Sequence, residues 1–186
     1  MESITLHSAY FFRGDIIPVT VETTVEKGVG IHVIGIPDAA VKETLLRVVT
    51  AIQATGYDLP ARKIVIRVEP HGGAGMWSGA FRPRECSEAF DLAIALGILA
   101  ATGQIKRPSW TEYGVDDVLF FARLGLDGEL QAPYTGIEGI SAAAVLEYQL
   151  RRDWSEIVGY EAPVFGRTIW DGCDCLLAAI QNFINF

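Results

Sequence analysis

Charge is scarce in this sequence. Of 186 residues a fifth are charged, and acids outnumber bases 23 to 15, for a net charge of −8. That balance disfavours non-specific binding to DNA or to an anionic membrane, though a local basic strip remains compatible with it. Cysteine is almost absent. Cys86, Cys173 and Cys175 give no disulfide framework. The pair Cys173 and Cys175 has only Asp171 and Asp174 beside it, too few ligands for a metal, so these thiols read as buried or incidental. His7, His32 and His71 show no metal-ligand spacing. No apolar run reaches the roughly 18 residues of a membrane span. The opening "MESITLHSAYFF" lacks a basic stretch followed by a long apolar one, so no signal peptide is read and a cytoplasmic protein is expected.

Recognisable chemistry is missing too. The glycines at 72, 73, 75 and 79 never give the spacing of a Walker A loop, and no Gly-Lys-Ser/Thr follows them. There is no dinucleotide-binding fingerprint. Ser8, Ser78 and Ser87 form no nucleophile elbow. No cofactor is expected.

Pattern is what the chain does have. Half of it is hydrophobic, and its length suits one domain with a real core. In "PVTVETTVE" (Pro18 to Glu26), Val19, Val21 and Val25 share one face while Thr20, Glu22, Thr24 and Glu26 share the other, as in a half-buried strand. "KGVG" then predicts a turn and "IHVIGI" a second strand, together a hairpin, with His32 facing outward. A helix is predicted from about Ala39 to Thr55. Val41, Leu45, Val48, Val49 and Ile52 form its buried stripe, and Lys42, Glu43, Arg47 and Gln53 its polar side. Gly56 suits the C′ position.

The junction ahead of that helix is "GIPDAA". Gly35 lets the strand end close to the helix, and Pro37 sets the direction of approach. Asp38 is expected as the N-cap, accepting from the N–H groups of Ala40 or Val41, a contact worth about 1 kcal/mol against alanine. A bound anion would compete with that carboxylate, so the junction reads as a structural turn.

"RKIVIRVE" (Arg62 to Glu69) is the next strand, with Ile64, Ile66 and Val68 inward and Lys63, Val65, Arg67 and Glu69 outward. Pro70 to Cys86 is glycine-rich. Trp77 and Phe81 at its tip suggest a protein contact, because exposed aromatics anchor interfaces. Arg82 and Arg84 could serve an anion nest or extend a basic strip from Arg62, Lys63 and Arg67 toward nucleic acid. Ser87 is read as the N-cap of a helix that is apolar nearly all round from Phe90 to Ala101 except at Asp91, with Gly97 permitting close packing and Gly103 ending it. Asp127-Gly128 marks a tight turn between two strands within Asp117 to Pro133. Two more helices are predicted, over Gly136 to Leu150 and Ile169 to Phe186, the last with Leu176, Leu177, Ile180, Phe183 and Ile184 inward. Together these imply one α+β domain with helices packed on a mixed sheet.

Four blocks in order, "VTVETTVEKGVGIHVIGIPDAAVKET", "RVVTAIQATGYDLPARKIVIRVEP", "FDLAIALGILAATGQI" and "LGLDGELQAPYTGIEGISAAA", resemble the N-terminal domain of the magnesium-chelatase-like AAA+ ATPases, the YifB or ComM competence family with its ChlI subunit-like domain. The resemblance is collinear from about Ser3 to Ala144. It implies a ribosomal protein S5 domain 2-like fold, shared with the proteolytic domain of Lon, ahead of a module that binds ATP. The expectation is therefore a single domain over 1–186, with 151–186 divergent and no AAA+ module or ATP site within it. Carried onto this sequence, the Lon nucleophile falls at Ala89 and its lysine at Glu138, with Ser87 two places off, so no peptidase is expected. "GGAGMWSGAF" only loosely echoes the phosphate loop of kinases sharing the fold. The favoured expectation is a non-catalytic domain whose partner is a protein, either an AAA+ ATPase module or a second copy. A nucleic-acid accessory role and a small-molecule enzyme are the alternatives.

Overall fold

In a computed structural model of the chain, the described residues are 3–12, 15–70, 87–106, 118–131, 156–159 and 175–185. Strands β1 (Ser3–Phe12), β2 (Asp15–Glu26), β3 (Gly30–Ile34), β4 (Lys63–Pro70), β5 (Val118–Phe121) and β8 (Glu156–Gly159) form a six-stranded sheet in the order β3-β4-β2-β1-β5-β8. β6 (Arg123–Leu124) and β7 (Leu130–Gln131) form a separate antiparallel pair. The helices are α1 (Asp38–Ala54), α2 (Asp91–Ala101) and α3 (Leu176–Asn185), with a 3-10 turn at Ser87–Phe90. This is the mixed sheet and α+β class the patterns implied.

Two pairings depart from expectation. β2 and β3 do not form a hairpin. β4 lies between them, antiparallel to β2 and parallel to β3, so α1 is the crossover joining two parallel neighbours. β1, which the patterns did not single out as a strand, runs antiparallel to β2 from Ser3↔Thr24 to Phe12↔Asp15 and parallel to β5.

The alternation in β2 and β4 holds. Val19, Val21, Ile64, Ile66 and Val68 are buried, and Thr20, Glu22 and Thr24 are half-buried on the opposite face. α2 packs on β1, β2 and β5, and α1 packs against α2. Every residue of α2 is buried. Gly97 is required there, because a Cβ at that position would lie 2.7 Å from the Thr23 hydroxyl oxygen. α1 buries Thr44, Val48, Ala51 and Ile52, while Val41, Leu45 and Val49 are only half-buried. The stripe is thus rotated slightly from the one the apolar pattern predicts. The helix ends as expected: Gly56 N–H donates to the Gln53 carbonyl at 3.0 Å and Tyr57 N–H to that of Ile52 at 3.2 Å, the paired bonds of a glycine-terminated helix.

The start of α1 corrects the expected cap. Pro37 is the N-cap, and its carbonyl accepts from Ala40 N–H at 2.9 Å and Val41 N–H at 3.0 Å. Asp38 is the first helical residue, exposed, with no side-chain cap bond. Its carboxylate acts only through its charge near the helix N-terminus. Gly35 is more tightly constrained than the sequence implied. Its φ is +96°, and a Cβ there would sit 1.8 Å from the Val68 carbonyl oxygen, so the chain leaves β3 against the backbone of β4. Ser87 is likewise not a helix cap: it opens the 3-10 turn, and Phe90 stands at the N-cap of α2.

Asp127-Gly128 does turn the chain, but between β6 and β7, while β5 joins the main sheet. The Leu176 N–H donates to the Gly128 carbonyl at 2.7 Å and ties α3 to that turn. α3 buries Leu176, Ala179, Ile180 and Phe183, the last edge-on to Phe120 with ring centroids 5.9 Å apart. Leu177 and Ile184, predicted inward, face out. The helix expected over 136–150 lies outside the described residues. No described helix is long and apolar enough to cross a membrane.

Candidate functional site

The basic strand residues were the first candidates for a binding surface. Cross-strand register decides their state. Lys63 stands opposite Glu26 and Arg67 opposite Glu22. The Lys63 Nζ reaches Glu26 Oε2 at 2.7 Å, and Arg67 Nη1 lies 3.7 Å from Glu22 Oε2. Along β4 each cation therefore faces an acid, and the strip is a ladder of alternating charge rather than a positive track. Arg62 is exposed in the turn before β4. Trp77, Phe81, Arg82 and Arg84 lie outside the described residues, as do Asp171, Cys173 and Asp174; Cys175 is half-buried. His32 faces outward on β3 as expected.

A different constellation emerges where α1 crosses α2. Helical periodicity assigns Arg47 to the polar side, yet its side chain is 13% exposed and turns inward to Asp91, which is wholly buried. Arg47 Nε donates to Asp91 Oδ2 at 2.6 Å and Nη2 to Oδ1 at 3.1 Å, a two-pronged ion pair. Nη2 also donates to the Thr44 hydroxyl at 3.3 Å. The Leu124 N–H donates to Asp91 Oδ2 at 3.1 Å. One carboxylate thus ties α1, α2 and β6 together. Burial pushes the Asp91 carboxyl up to about 6, while the hydrogen bonds and charge of Arg47 and the Leu124 N–H pull in the opposite direction. For Arg47, burial acts downward, and its contacts with Asp91 outweigh it, so its pKa is raised.

Ala89, the place of the Lon nucleophile in the resemblance, is a buried methyl group. Its carbonyl accepts from Ala122 N–H at 3.2 Å and from the Ser8 hydroxyl at 3.4 Å. Glu138 lies outside the described residues.

Above the ion pair a groove of about 470 Å³ opens between α1 and the β6–β7 turn. Leu46 and Leu126 line it, 63% and 55% exposed, with Glu43, Arg47, Arg123 and Gln131 between them. The groove's two cations are engaged within the protein, Arg47 with Asp91 and Arg123 with Gln131, while Glu43 is exposed. Arg123 Nη1 donates to Gln131 Oε1 at 2.9 Å, and its Nε lies 3.8 Å from Glu88 Oε2. The turn carrying Leu126 is held by Gly125 N–H to the Glu129 carbonyl at 2.8 Å and Glu129 N–H to Asp127 Oδ1 at 3.0 Å. Two large apolar side chains on a rigid rim suit the seating of a partner's apolar side chain. The pattern held a clue to Leu46: a leucine on the polar side of an amphipathic helix lacks a core role. Leu126, set by the turn, gave no such signal.

The segment that builds this groove is also the one with relatives. Residues 21–150 match the family described as subunit ChlI of Mg-chelatase. The chain belongs to that family. Among curated relatives, the uncharacterized protein YifB of Escherichia coli K12 is 34% identical over 128 residues, which is 68% of this chain and 22% of that protein. YifB of Salmonella typhimurium is 32% identical over 128 residues, again 68% and 22%. The competence protein ComM of Haemophilus influenzae is 30% identical over 136 residues, 73% of this chain and 23% of ComM. The chain therefore spans less than a quarter of these relatives. Its mixed sheet with helices is consistent with the S5 domain 2-like architecture expected of a ChlI domain. Arg47, Asp91, Leu46 and Leu126 all fall inside the matched segment.

Proposed function

We propose that this ChlI-family domain is a non-catalytic interaction module, and that its groove seats an apolar side chain of an AAA+ ATPase module of the same family. One observation carries the reading: two exposed leucines flank a groove whose two cations, Arg47 and Arg123, are already engaged internally. Such a site offers contact area and shape, and its described lining holds one carboxylate, Glu43, with no serine, cysteine or histidine beside it. On this reading the domain itself holds no nucleotide and needs no cofactor. It works in the cytoplasm, where ATP is available to its partner. The name of ComM supports a role in competence, and with it a link to DNA uptake or recombination through the partner rather than through β4.

The test mixes the purified chain with the ATPase module of a ComM-type relative and follows binding by calorimetry. Leu46→Asp and Leu126→Asp, both at exposed positions, are expected to weaken binding at least tenfold, about 1.4 kcal/mol, while leaving the fold intact. Unchanged binding by both variants would overturn the groove as the contact. ATP or peptide hydrolysis by the chain alone, abolished by a point substitution, would overturn the non-catalytic reading.

A further inference from the structure

β3 is the outermost strand of its sheet, bonded to β4 on one side only. Among the described residues no strand pairs with its other edge. An open edge presents a row of N–H and C=O groups, and soluble proteins usually guard it with lysine, proline or a bulge. β3 reads Gly-Ile-His-Val-Ile and carries no lysine, arginine, acid or proline. Val29 just before it is 73% exposed, and Ile34 at its end is 55% exposed.

We infer that two copies of this chain pair edge to edge through β3, antiparallel, about a two-fold axis at His32. Five residues with His32 at the centre are self-complementary under that operation. Gly30 then faces Ile34 of the partner subunit, and Ile31 faces Val33 of the partner subunit. Ile31 and Val33 are half-buried and already packed against the core, so the pairing extends the apolar layer beneath the sheet. On the outer face His32 and Ile34 share a side with Val65 and Arg67 of β4, and small Gly30 leaves room for the partner's Ile34. The strand's lack of acids, lysine and arginine means that no fixed like charges meet in the new ladder. Each open backbone group gains a partner, and two six-stranded sheets become one. A closed two-fold contact of this kind stops at a dimer. A foreign extended peptide could satisfy the same backbone groups, but the register that matches apolar to apolar on both strands is specific to a second β3.

The experiment is sedimentation equilibrium of the chain from micromolar to millimolar concentration. A reversible dimer is expected. Ile34→Lys, at an exposed position, should abolish it without lowering the melting temperature measured at concentrations where the chain is monomeric. With the three native cysteines changed to serine, oxidised His32→Cys should form a covalent dimer, since directly opposed residues bring their Cβ atoms to about 4.5–5.5 Å. Lys42→Cys, exposed on α1, should not. Leu46→Asp should leave the dimer unchanged, which separates this contact from the groove. A monomer at every concentration, a dimer that survives Ile34→Lys, or equal cross-linking at 42 and 32 would overturn the inference.

Discussion

Two kinds of ion pair sit in this molecule, one on the open side of the sheet and one under α1. Lys63–Glu26 and Arg67–Glu22 use the same chemistry as Arg47–Asp91. The side chains of the first two pairs are 34% to 55% exposed, and those of the third are 13% and 0% exposed. Water screens the outer pairs and would solvate either partner if the other were lost. Asp91 has no such reserve: among the described residues its carboxylate is solvated by Arg47 and the Leu124 N–H alone. The outer pairs shape the surface, whereas the inner pair decides where three elements meet.

The largest expected effect comes from breaking the inner pair. Asp91→Ala should lose about 3–5 kcal/mol in urea denaturation, because Arg47 is left with no anion in a mostly buried place. The double variant Arg47→Met, Asp91→Leu should recover most of that loss, apart from about 1–3 kcal/mol for the unpartnered Leu124 N–H. A single variant no worse than the surface changes would erase the distinction.

Acidity gives the next effect. The folded Asp91 carboxyl titrates near 6 against an ordinary 3.8, so between those values the folded state binds more protons than the unfolded one. Asp91's contribution to stability therefore falls as pH rises from about 4 to 6 and levels off above. Asp91→Asn should remove that slope. Arg47→Met, which deletes the opposing cation, should extend it to higher pH in thermal melts.

Smaller changes are expected outside. Lys63→Ala should lose about 0.2–1 kcal/mol, less in high salt, and Arg67→Ala, with its 3.7 Å contact, should lie at the bottom of that range. Asp38→Ala belongs to the same small class. With no cap bond to remove, it should lose only about 0.3–1 kcal/mol of helix-dipole interaction, and that loss should vanish in high salt.

Much of the fold was legible in local pattern. The alternation of β2 and β4, the apolar run of α2 after Asp91, the Gly56 terminus and the Asp127-Gly128 turn follow from residue periods and backbone preferences. The pairing of β3 did not. "KGVG" between two strand-like runs looks like a hairpin locally, and only the α1 crossover reveals that β4 takes the inner place. β1 was missed because its first residues mix serine, threonine and histidine with apolar groups. Asp38 looked like a cap because aspartate favours that role, but the preceding proline takes the N-cap position and moves aspartate one residue into the helix. The site was less legible than the fold. A lone aspartate in an apolar helix requires a buried partner, a signal strong enough to prompt a search for a cation. It does not name Arg47, whose periodicity points outward and whose length alone lets it bend in.

The sequence by itself settled which residues are apolar at which period, and hence the class of fold, the buried helix and the ChlI-family likeness, because those depend on contacts between near neighbours and on burial in general. Only the tertiary structure decided which strand lies beside which, that Lys63 and Arg67 each face a glutamate, that Arg47 meets Asp91, and that Leu46 and Leu126 share one groove. Each of these is a meeting of residues distant in the chain, and a side chain's charge or reach acquires its meaning only from what packing brings within a few ångströms of it.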